Sequence, residues 1–136
     1  MSMSPQLNHT IVNCRDPDRS AAFVTRVLGL RAPTHFGPFT VVTLGNAVSL
    51  DYLKHDGTIA EQHYAFLIDD DHFDDIFARV LTENVEWYAD PGRQRRGEIN
   101  RRDGGRGFYF DDPDGHLLEV LTRPHGSGAG EAPPVR

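Results

Sequence analysis

The sequence of 136 residues contains a single cysteine, Cys14, and this scarcity excludes several kinds of site. One thiol forms no disulfide within a chain and cannot supply a four-cysteine zinc site. Any metal ion would therefore be bound by histidine and carboxylate side chains. The absence of a disulfide framework favours a reducing compartment, so we expect a cytoplasmic protein.

Long apolar runs and positive charge are also scarce. No stretch approaches the roughly 20 apolar residues of a membrane-spanning helix, so no membrane partner is expected. Lys54 is the only lysine among 14 basic residues, and the formal net charge is -6. Such a chain does not bind nucleic acid through bulk electrostatics, so we expect no nucleic-acid partner. With 38% hydrophobic residues, the composition is that of one folded domain.

The chain consists of two similar halves. A shift of 54 residues aligns four pairs of similar residues: His9 with His63, Asp16 with Asp70, Phe23 with Phe77, and Val27 with Leu81. Each half is predicted to contain a strand, an amphipathic helix and about three further strands. A unit of roughly 55 residues buries little surface alone, so the two halves are expected to pack together.

Local signals support these elements. Asp16 followed by proline predicts a helix start, and Gly29 predicts its end. The spacing of apolar residues over 73–81 predicts a second helix that lies on a sheet. Residues 41–44 and 48–53 are predicted to be strands, and the last strand is predicted over 116–122. Residues 1–5 are expected to be a flexible leader, and residues 124–136 a disordered tail.

Three side chains form a candidate metal site. His9 and His63 open equivalent strands, so pseudo-two-fold symmetry would let them face each other across a central cavity. Glu119 lies among aliphatic residues in the last strand, where a carboxylate is costly to bury unless it is paired or binds a metal. Two imidazoles and one carboxylate bind a divalent ion and leave positions open for substrate; Fe²⁺, Mn²⁺, Zn²⁺ and Ni²⁺ all suit this set.

The chain over residues 6–123 resembles a known superfamily. The similarity lies in four segments, residues 7–9, 16–30, 63–66 and 108–119, the last of which reads Phe-Tyr-Phe-Asp-Asp-Pro-Asp-Gly-His-Leu-Leu-Glu. These segments resemble the vicinal oxygen chelate superfamily, which includes glyoxalase I, fosfomycin-resistance thiol transferases, extradiol dioxygenases and bleomycin-binding proteins.

The resemblance implies an α+β fold of two pseudo-symmetric βαβββ modules, residues 6–54 and 61–123, that form a concave mixed sheet around one site. It places His9, His63 and Glu119 at the metal-ligand positions and implies a homodimer. Tyr109 is the candidate catalytic residue, since its hydroxyl is expected to donate to a bound oxygen. Glyoxalase I has a fourth ligand; alignment of Gly45 with Asp114 places Leu50 there, and Asp51 is expected to point to the opposite face.

Six arginines lie between positions 92 and 107, a stretch that is either a solvated loop or a mobile flap over the metal cavity. Arg101, Arg102 and Arg106 are the candidate substrate-binding residues, because a guanidinium binds carboxylate or phosphate in a bidentate manner. The predicted function is a metal-dependent enzyme that chelates vicinal oxygens of a small, anionic substrate. Whether it is a dioxygenase, lyase, isomerase or thiol transferase stays open. The alternative is a metal-independent protein that binds a drug or metabolite on the same scaffold.

Overall fold

A computed structural model describes residues 4–128 of the chain. The expected leader and tail thus fall partly outside the described residues, at positions 1–3 and 129–136. The chain divides into two compact units, Met1–Ile59 and Ala60–Arg136. The boundary between them falls between the two predicted modules. No helix within residues 4–128 is both long enough and apolar enough to cross a membrane.

Unit 1 has the predicted βαβββ order. Its elements are β1 (His9–Cys14), α1 (Pro17–Leu28), β2 (Thr34–Phe36), β3 (Phe39–Thr43) and β4 (Ser49–Lys54). They form one sheet in the order β1-β4-β3-β2, in which β1 runs parallel to β4 and the other pairs are antiparallel. Helix α1 packs on β3 and β4 and buries Val24 and Val27.

The ends of α1 follow the predicted local rules. The carboxylate of Asp16 accepts the backbone N–H of Arg19 at 3.2 Å, which satisfies one of the free N–H groups of the first turn. Gly29 ends the helix at φ 69°, in the left-handed region that costs glycine little. The predicted start and end of this helix are confirmed.

Unit 2 repeats the arrangement with one strand reduced. It contains β5 (His63–Leu67), α2 (Asp70–Thr82), a short 3-10 turn (Arg102–Gly104), β6 (Gly107–Asp111) and β7 (Leu117–Leu121), with the sheet order β5-β7-β6. In place of a further strand, Tyr88 forms single bridges to Arg96 and to Tyr109. The mixed α+β fold of two similar units, each with one helix and a mixed sheet, is therefore confirmed.

Aromatic packing holds α2 on its sheet. The ring of Phe73 meets Phe108 edge-on with centroids 5.5 Å apart, and Phe77 meets Trp87 at 5.1 Å. Edge-to-face pairs of this kind add about 0.5–1.5 kcal/mol to the stabilisation from buried area. Ile76 on the same helix face is 1% exposed. The apolar spacing thus identified the buried face at Phe73, Ile76 and Val80, whereas Leu81 at the end of the predicted range is 51% exposed.

The turns before β4 and β7 have the same hydrogen bonds. In unit 1, the N–H of Ala47 donates to the carbonyl of Leu44; in unit 2, the N–H of Gly115 donates to that of Asp112. Ala47 and Gly115 both have positive φ, 69° and 86°. These two residues are therefore equivalent, and the prediction that aligned Gly45 with Asp114 is wrong by one position.

This shift changes which residue of β4 corresponds to Glu119. Four residues beyond the equivalent turn positions lie Asp51 in β4 and Glu119 in β7. Leu50 is 3% exposed and lies on the buried face of the sheet that α1 covers. Asp51 and not Leu50 therefore occupies the fourth symmetric position. Gly45, the glycine of this turn, does not have the positive φ; that conformation falls on Ala47.

Candidate functional site

The candidate site in unit 2 centres on the carboxylate of Glu119. This residue lies in the middle of β7, where it is 1% exposed and pairs with Ala65 of the parallel strand β5. Because side chains two residues apart share a face of a strand, Glu119 lies on the same face of the sheet as His63. The distance from Glu119 Oε1 to His63 Nε2 is 3.1 Å. The structure thus brings two of the three predicted metal ligands together.

Both ring nitrogens of His63 face hydrogen-bond acceptors. Nδ1 lies 2.9 Å from the carbonyl oxygen of Leu117, and Nε2 faces the carboxylate of Glu119. A carbonyl oxygen only accepts, so Nδ1 must carry a proton. A neutral ring then directs the lone pair of Nε2 at an anionic oxygen, which is repulsive unless a proton or a cation lies between them. This pattern fits a metal-binding histidine whose other nitrogen donates to a backbone carbonyl.

Glu119 is held in the ionised form. Burial acts to raise the pKa of this carboxyl, but the hydrogen bond with His63 and the charge of His125 outweigh burial and lower the pKa. A buried carboxylate in this state is a suitable oxygen ligand for a divalent cation. The donor chemistry of His63 and Glu119 therefore fits the predicted metal ion.

Tyr109 lies beside this pair, on the same face of the sheet. It pairs with Glu119 across β6 and β7, and its ring stacks on His63 with centroids 5.9 Å apart. Its hydroxyl accepts a hydrogen bond of 2.7 Å from Nη1 of Arg102. Burial and the charge of Glu119 raise the pKa of Tyr109 to about 12. The hydroxyl is therefore protonated at neutral pH and carries a proton that it could donate to an oxygen atom.

The third predicted ligand, His9, belongs to unit 1. It opens β1, is exposed, and its Nδ1 lies 2.7 Å from the side-chain oxygen of Asn8. In the register of β1 with β4, His9 pairs with Ser49, so His9 and Asp51 share one face. Ser49 Oγ donates to Asp51 Oδ1 at 2.8 Å. Unit 1 thus carries a histidine and a carboxylate in the register that His63 and Glu119 have in unit 2.

His125 contacts the site, although sequence analysis gave it no role. Its Nε2 lies 3.1 Å from Oε2 of Glu119. The position of this histidine in a glycine-rich stretch gave no signal of the contact, because a return of the chain to β7 depends on tertiary structure. Within residues 4–128, no group of three or more histidine, cysteine or acidic side chains is arranged to hold a metal ion. The two histidines instead contact different oxygens of Glu119.

Most arginines of the loop between positions 92 and 107 have partners within unit 2. Arg106 donates to Asp74 at 2.9 Å and to Asp70 at 3.2 Å, and its guanidinium lies 4.2 Å from the centre of the Phe73 ring. This guanidinium therefore secures β6 to α2.

Arg102 also has partners, on the side of the site. It contacts Tyr109 as described, and its Nη2 donates to the carbonyl of Ala89 at 3.3 Å. Arg93 forms an ion pair with Asp111 and with Glu61. Arg101 is exposed and has no ion pair among the described residues. Of the three predicted substrate-binding arginines, Arg102 lies beside the site, and Arg101 forms no ion pair with any residue in 4–128.

Sequence comparison identifies the class to which this fold and site belong. The family model of the Glyoxalase/Bleomycin resistance protein/Dioxygenase superfamily matches residues 6–120. The chain therefore belongs to this superfamily, as the resemblance of its four segments predicted.

Individual relatives are enzymes by name. The chain is 54% identical to the solved structure of Oxidase ChaP-H2, with a TM-score of 0.90, and the alignment covers 93% of this chain and 100% of that one. It is 32% identical to the Metallothiol transferase FosB of Shouchella clausii (strain KSM-K16), over 85% of this chain and 79% of the relative. It is 29% identical to the Glutathione transferase FosA of Serratia marcescens, over 87% and 81%. These relatives carry the names of enzymes, which agrees with the predicted class of function.

Proposed function

We propose that this protein is a metal-dependent oxidase that acts on a small organic substrate. Its divalent metal ion would be bound by His9, His63 and Glu119. The observation that carries the metal site is the arrangement of His63, whose Nδ1–H is directed at a backbone carbonyl and whose Nε2 faces a buried carboxylate. The identity of 54% to a protein named an oxidase supports the reaction class.

Asp51 is proposed as a fourth ligand. It holds in unit 1 the register position that Glu119 holds in unit 2, on the same face as His9. Together with His9, His63 and Glu119, Asp51 would make four protein ligands. This proposal replaces the three-ligand site that the alignment of Leu50 with Glu119 predicted.

The remaining side chains of the site, Tyr109, Arg102 and Arg101, are proposed to bind the substrate. When bound, a divalent ion acts as a Lewis acid toward oxygen atoms of the substrate. Tyr109 would donate a hydrogen bond to the same oxygen atoms, since its pKa keeps it protonated. Arg102 supplies positive charge beside Tyr109, and Arg101 has a guanidinium available to an anionic group. This charge favours a substrate that carries a carboxylate or another acidic group.

Metal analysis tests the site. Protein purified without chelators is expected to contain about one Fe, Mn, Zn or Ni ion per chain, measured by plasma mass spectrometry. His63→Ala is expected to lose this metal, whereas His72→Ala, which removes an exposed histidine of α2, is expected to keep it. A wild-type chain with no affinity for any of the four metals would contradict the proposal.

Substrate screening tests the reaction class. Metal-loaded protein is offered catechols, carboxylate-bearing diols and related small phenols, and dioxygen consumption is followed with an oxygen electrode. Substrate-dependent consumption that disappears in His63→Ala supports an oxidase. Consumption that is unchanged in this variant would mean that the candidate site does not carry the reaction.

The FosB relative favours a second candidate, a metal-dependent thiol transferase. This activity would consume a free thiol in the presence of an electrophile and would not consume dioxygen, so the two assays separate the candidates. A third outcome, tight ligand binding by metal-free protein, would favour the metal-independent binding protein. The superfamily also leads us to propose a homodimer, for which light scattering gives a direct mass.

A further inference from the structure

The last described residues of the chain fold back onto a buried carboxylate. We refer to residues 123–128 as the C-terminal strap. Asp103 is 4% exposed, and its Oδ2 and Oδ1 accept the backbone N–H groups of Gly126 and Gly128, each at 3.1 Å. Arg123 Nε donates to the backbone carbonyl of the same aspartate at 3.3 Å. Asp103 thus fastens both ends of the strap.

The strap approaches Asp103 too closely for most residues. A Cβ atom on Gly128 would lie 2.5 Å from the backbone oxygen of Asp103, a separation that real Cβ atoms do not show. Asp103 itself has φ 57°, in the left-handed region that aspartate and asparagine tolerate better than most residues. The residue types at both contact points therefore suit the attachment: Gly128 allows the close approach, and Asp103 tolerates the positive φ.

The strap places His125 against Glu119. Nε2 of His125 contacts Oε2 of the carboxylate, while Oε1 faces His63, and both distances are 3.1 Å. Each oxygen thus has its own imidazole. The side chain of His125 is 43% exposed, so its position contributes little buried apolar area. The polar contact with Glu119 is what distinguishes this position.

We propose that His125 is a positioning residue for the metal site. Its Nε2–H occupies Oε2 of Glu119, so that the carboxylate presents only Oε1 toward His63, and the strap fastened by Asp103 sets this geometry. The inference rests on the proposed function, because it assumes that Glu119 is a metal ligand. A carboxylate whose Oε2 accepts from His125 is held in one orientation, with Oε1 on the side of His63. Partners that orient a ligand in this way affect metal affinity about 10–100-fold.

Metal affinity measured on the full chain tests the proposal without an enzyme assay. Zn²⁺ affinity is obtained by competition with a chromophoric chelator, and the visible absorption of the Co²⁺ form reports coordination. His125→Ala is expected to weaken Zn²⁺ binding about tenfold or more and to change the Co²⁺ spectrum. His125→Gln retains an N–H donor and is expected to restore most of the affinity. His72→Gln removes another histidine–carboxylate contact and is the matched control.

A second variant acts through the strap and leaves His125 in place. Asp103→Asn keeps the size of the side chain and tolerates positive φ, but it replaces one acceptor by an amide donor. We expect it to weaken metal binding in the same direction as His125→Ala. Because both changes act on one contact, the double variant is expected to be no weaker than His125→Ala alone.

The outcomes separate this inference from the proposed function. If the wild-type chain binds none of the metals, the proposed function fails. If the wild type binds metal and His125→Ala binds it equally well with the same Co²⁺ spectrum, the positioning role is refuted and the metal site stands. If His125→Gln is as weak as His125→Ala, an N–H donor at this position does not carry the effect, and the positioning role is again refuted.

Discussion

Asp51 in β4 and Glu119 in β7 hold equivalent positions in the sheets of the two units. Each pairs, on the neighbouring parallel strand, with the residue two places after the histidine that opens that strand. Each also follows a turn residue of positive φ by four positions. In both units a carboxylate therefore shares a face with a histidine, which is the basis for the proposed four-ligand site.

The first prediction concerns this equivalence. Asp51→Ala is expected to weaken Zn²⁺ binding by at least about tenfold, because it removes a direct oxygen ligand. A loss of about tenfold is already typical when a residue that only hydrogen-bonds to a metal ligand is removed. Chelator competition measures the effect. Asp56→Ala, which removes an exposed carboxylate of the same unit, is expected to leave the affinity unchanged.

Leu50→Ala provides the complementary control. Its side chain is buried under α1, so the variant is expected to lose about 2–5 kcal/mol of stability. The fraction that remains folded should bind Zn²⁺ with wild-type affinity. If Leu50→Ala changed the affinity for Zn²⁺ and Asp51→Ala did not, Asp51 would not be a metal ligand, despite its structural equivalence to Glu119.

The second prediction concerns the protonation of Tyr109. One of the four tyrosines is expected to titrate near pH 12 in ultraviolet absorption, because burial and the charge of Glu119 oppose its ionisation. Tyr109→Phe should abolish this step. The folded pKa is above the ordinary value of about 10, so the folded state holds its proton longer than the unfolded state. Stability linked to this group is therefore present below pH 10 and is lost as the pH rises toward 12.

Denaturation with urea checks the stability consequence. The wild-type chain is expected to lose stability between pH 10 and 12 more steeply than Tyr109→Phe. At pH 7 the variant is expected to be about 1–2 kcal/mol less stable, because Arg102 loses the acceptor of its 2.7 Å hydrogen bond. If the free energy of unfolding fell equally steeply with pH in the two proteins, folding would not raise the pKa of Tyr109.

The third prediction concerns Asp90, which organises the arginine-rich loop. Its carboxylate accepts the backbone N–H of Arg95 at 2.7 Å and that of Gln94 at 3.0 Å. Burial acts to raise the pKa of Asp90, but these backbone hydrogen bonds outweigh it and lower the pKa. Stability linked to this group is thus present above the ordinary pKa and is lost as the pH falls through the lowered value.

Asp90→Ala is therefore expected to cost about 1–3 kcal/mol at pH 7, because two backbone donors lose their acceptor. The difference from wild type should shrink in strong acid, below the ordinary pKa near 3.8. Glu98→Gln is the control, since its ion pair with Arg95 is exposed and is expected to matter by less than about 1 kcal/mol. An equal loss in both variants would show that the loop depends on charge and not on the backbone contacts.

The fourth prediction compares the two equivalent turns. Ala47 has φ 69°, a conformation that costs an L-residue with a Cβ about 1–2 kcal/mol. Ala47→Gly is therefore expected to gain about 0.5–1 kcal/mol after the added freedom of the unfolded chain is subtracted. Gly115→Ala makes the reverse change at φ 86° and is expected to destabilise. Chemical denaturation of both variants measures this, and a loss in Ala47→Gly would contradict it.

The class of fold and its local elements follow from the sequence. Asp16 and Gly29 delimit α1 because a helix cap needs only a side chain and backbone groups a few residues away. The apolar face of α2 follows from its 3.6-residue period. The alignment of His9 with His63 reveals the repeat, and the position of Glu119 among aliphatic residues marks it as a candidate metal ligand.

Other features were decided by tertiary structure. The positive φ in the turn before β4 falls on Ala47, which makes Ala47 equivalent to Gly115; Asp51 therefore lies on the histidine face and Leu50 in the core. A period of two means that an error of one residue reverses every side chain of a strand. Composition carries no information on this register, since it depends on the pairing of strands that are distant in sequence.

The partners of the polar side chains likewise could not be predicted from the sequence. The charge of Arg106 predicted an anion contact, and the structure supplies that anion from Asp70 and Asp74 of α2. The contact of His125 with Glu119 requires a return of the chain that is fastened by Asp103. The sequence by itself determined which side chains are available for metal and substrate chemistry, because their acid–base properties belong to each residue. Only the tertiary structure decided which of these side chains contact each other. Contacts between residues that are distant in sequence depend on strand register and on which donors lie near each buried acceptor.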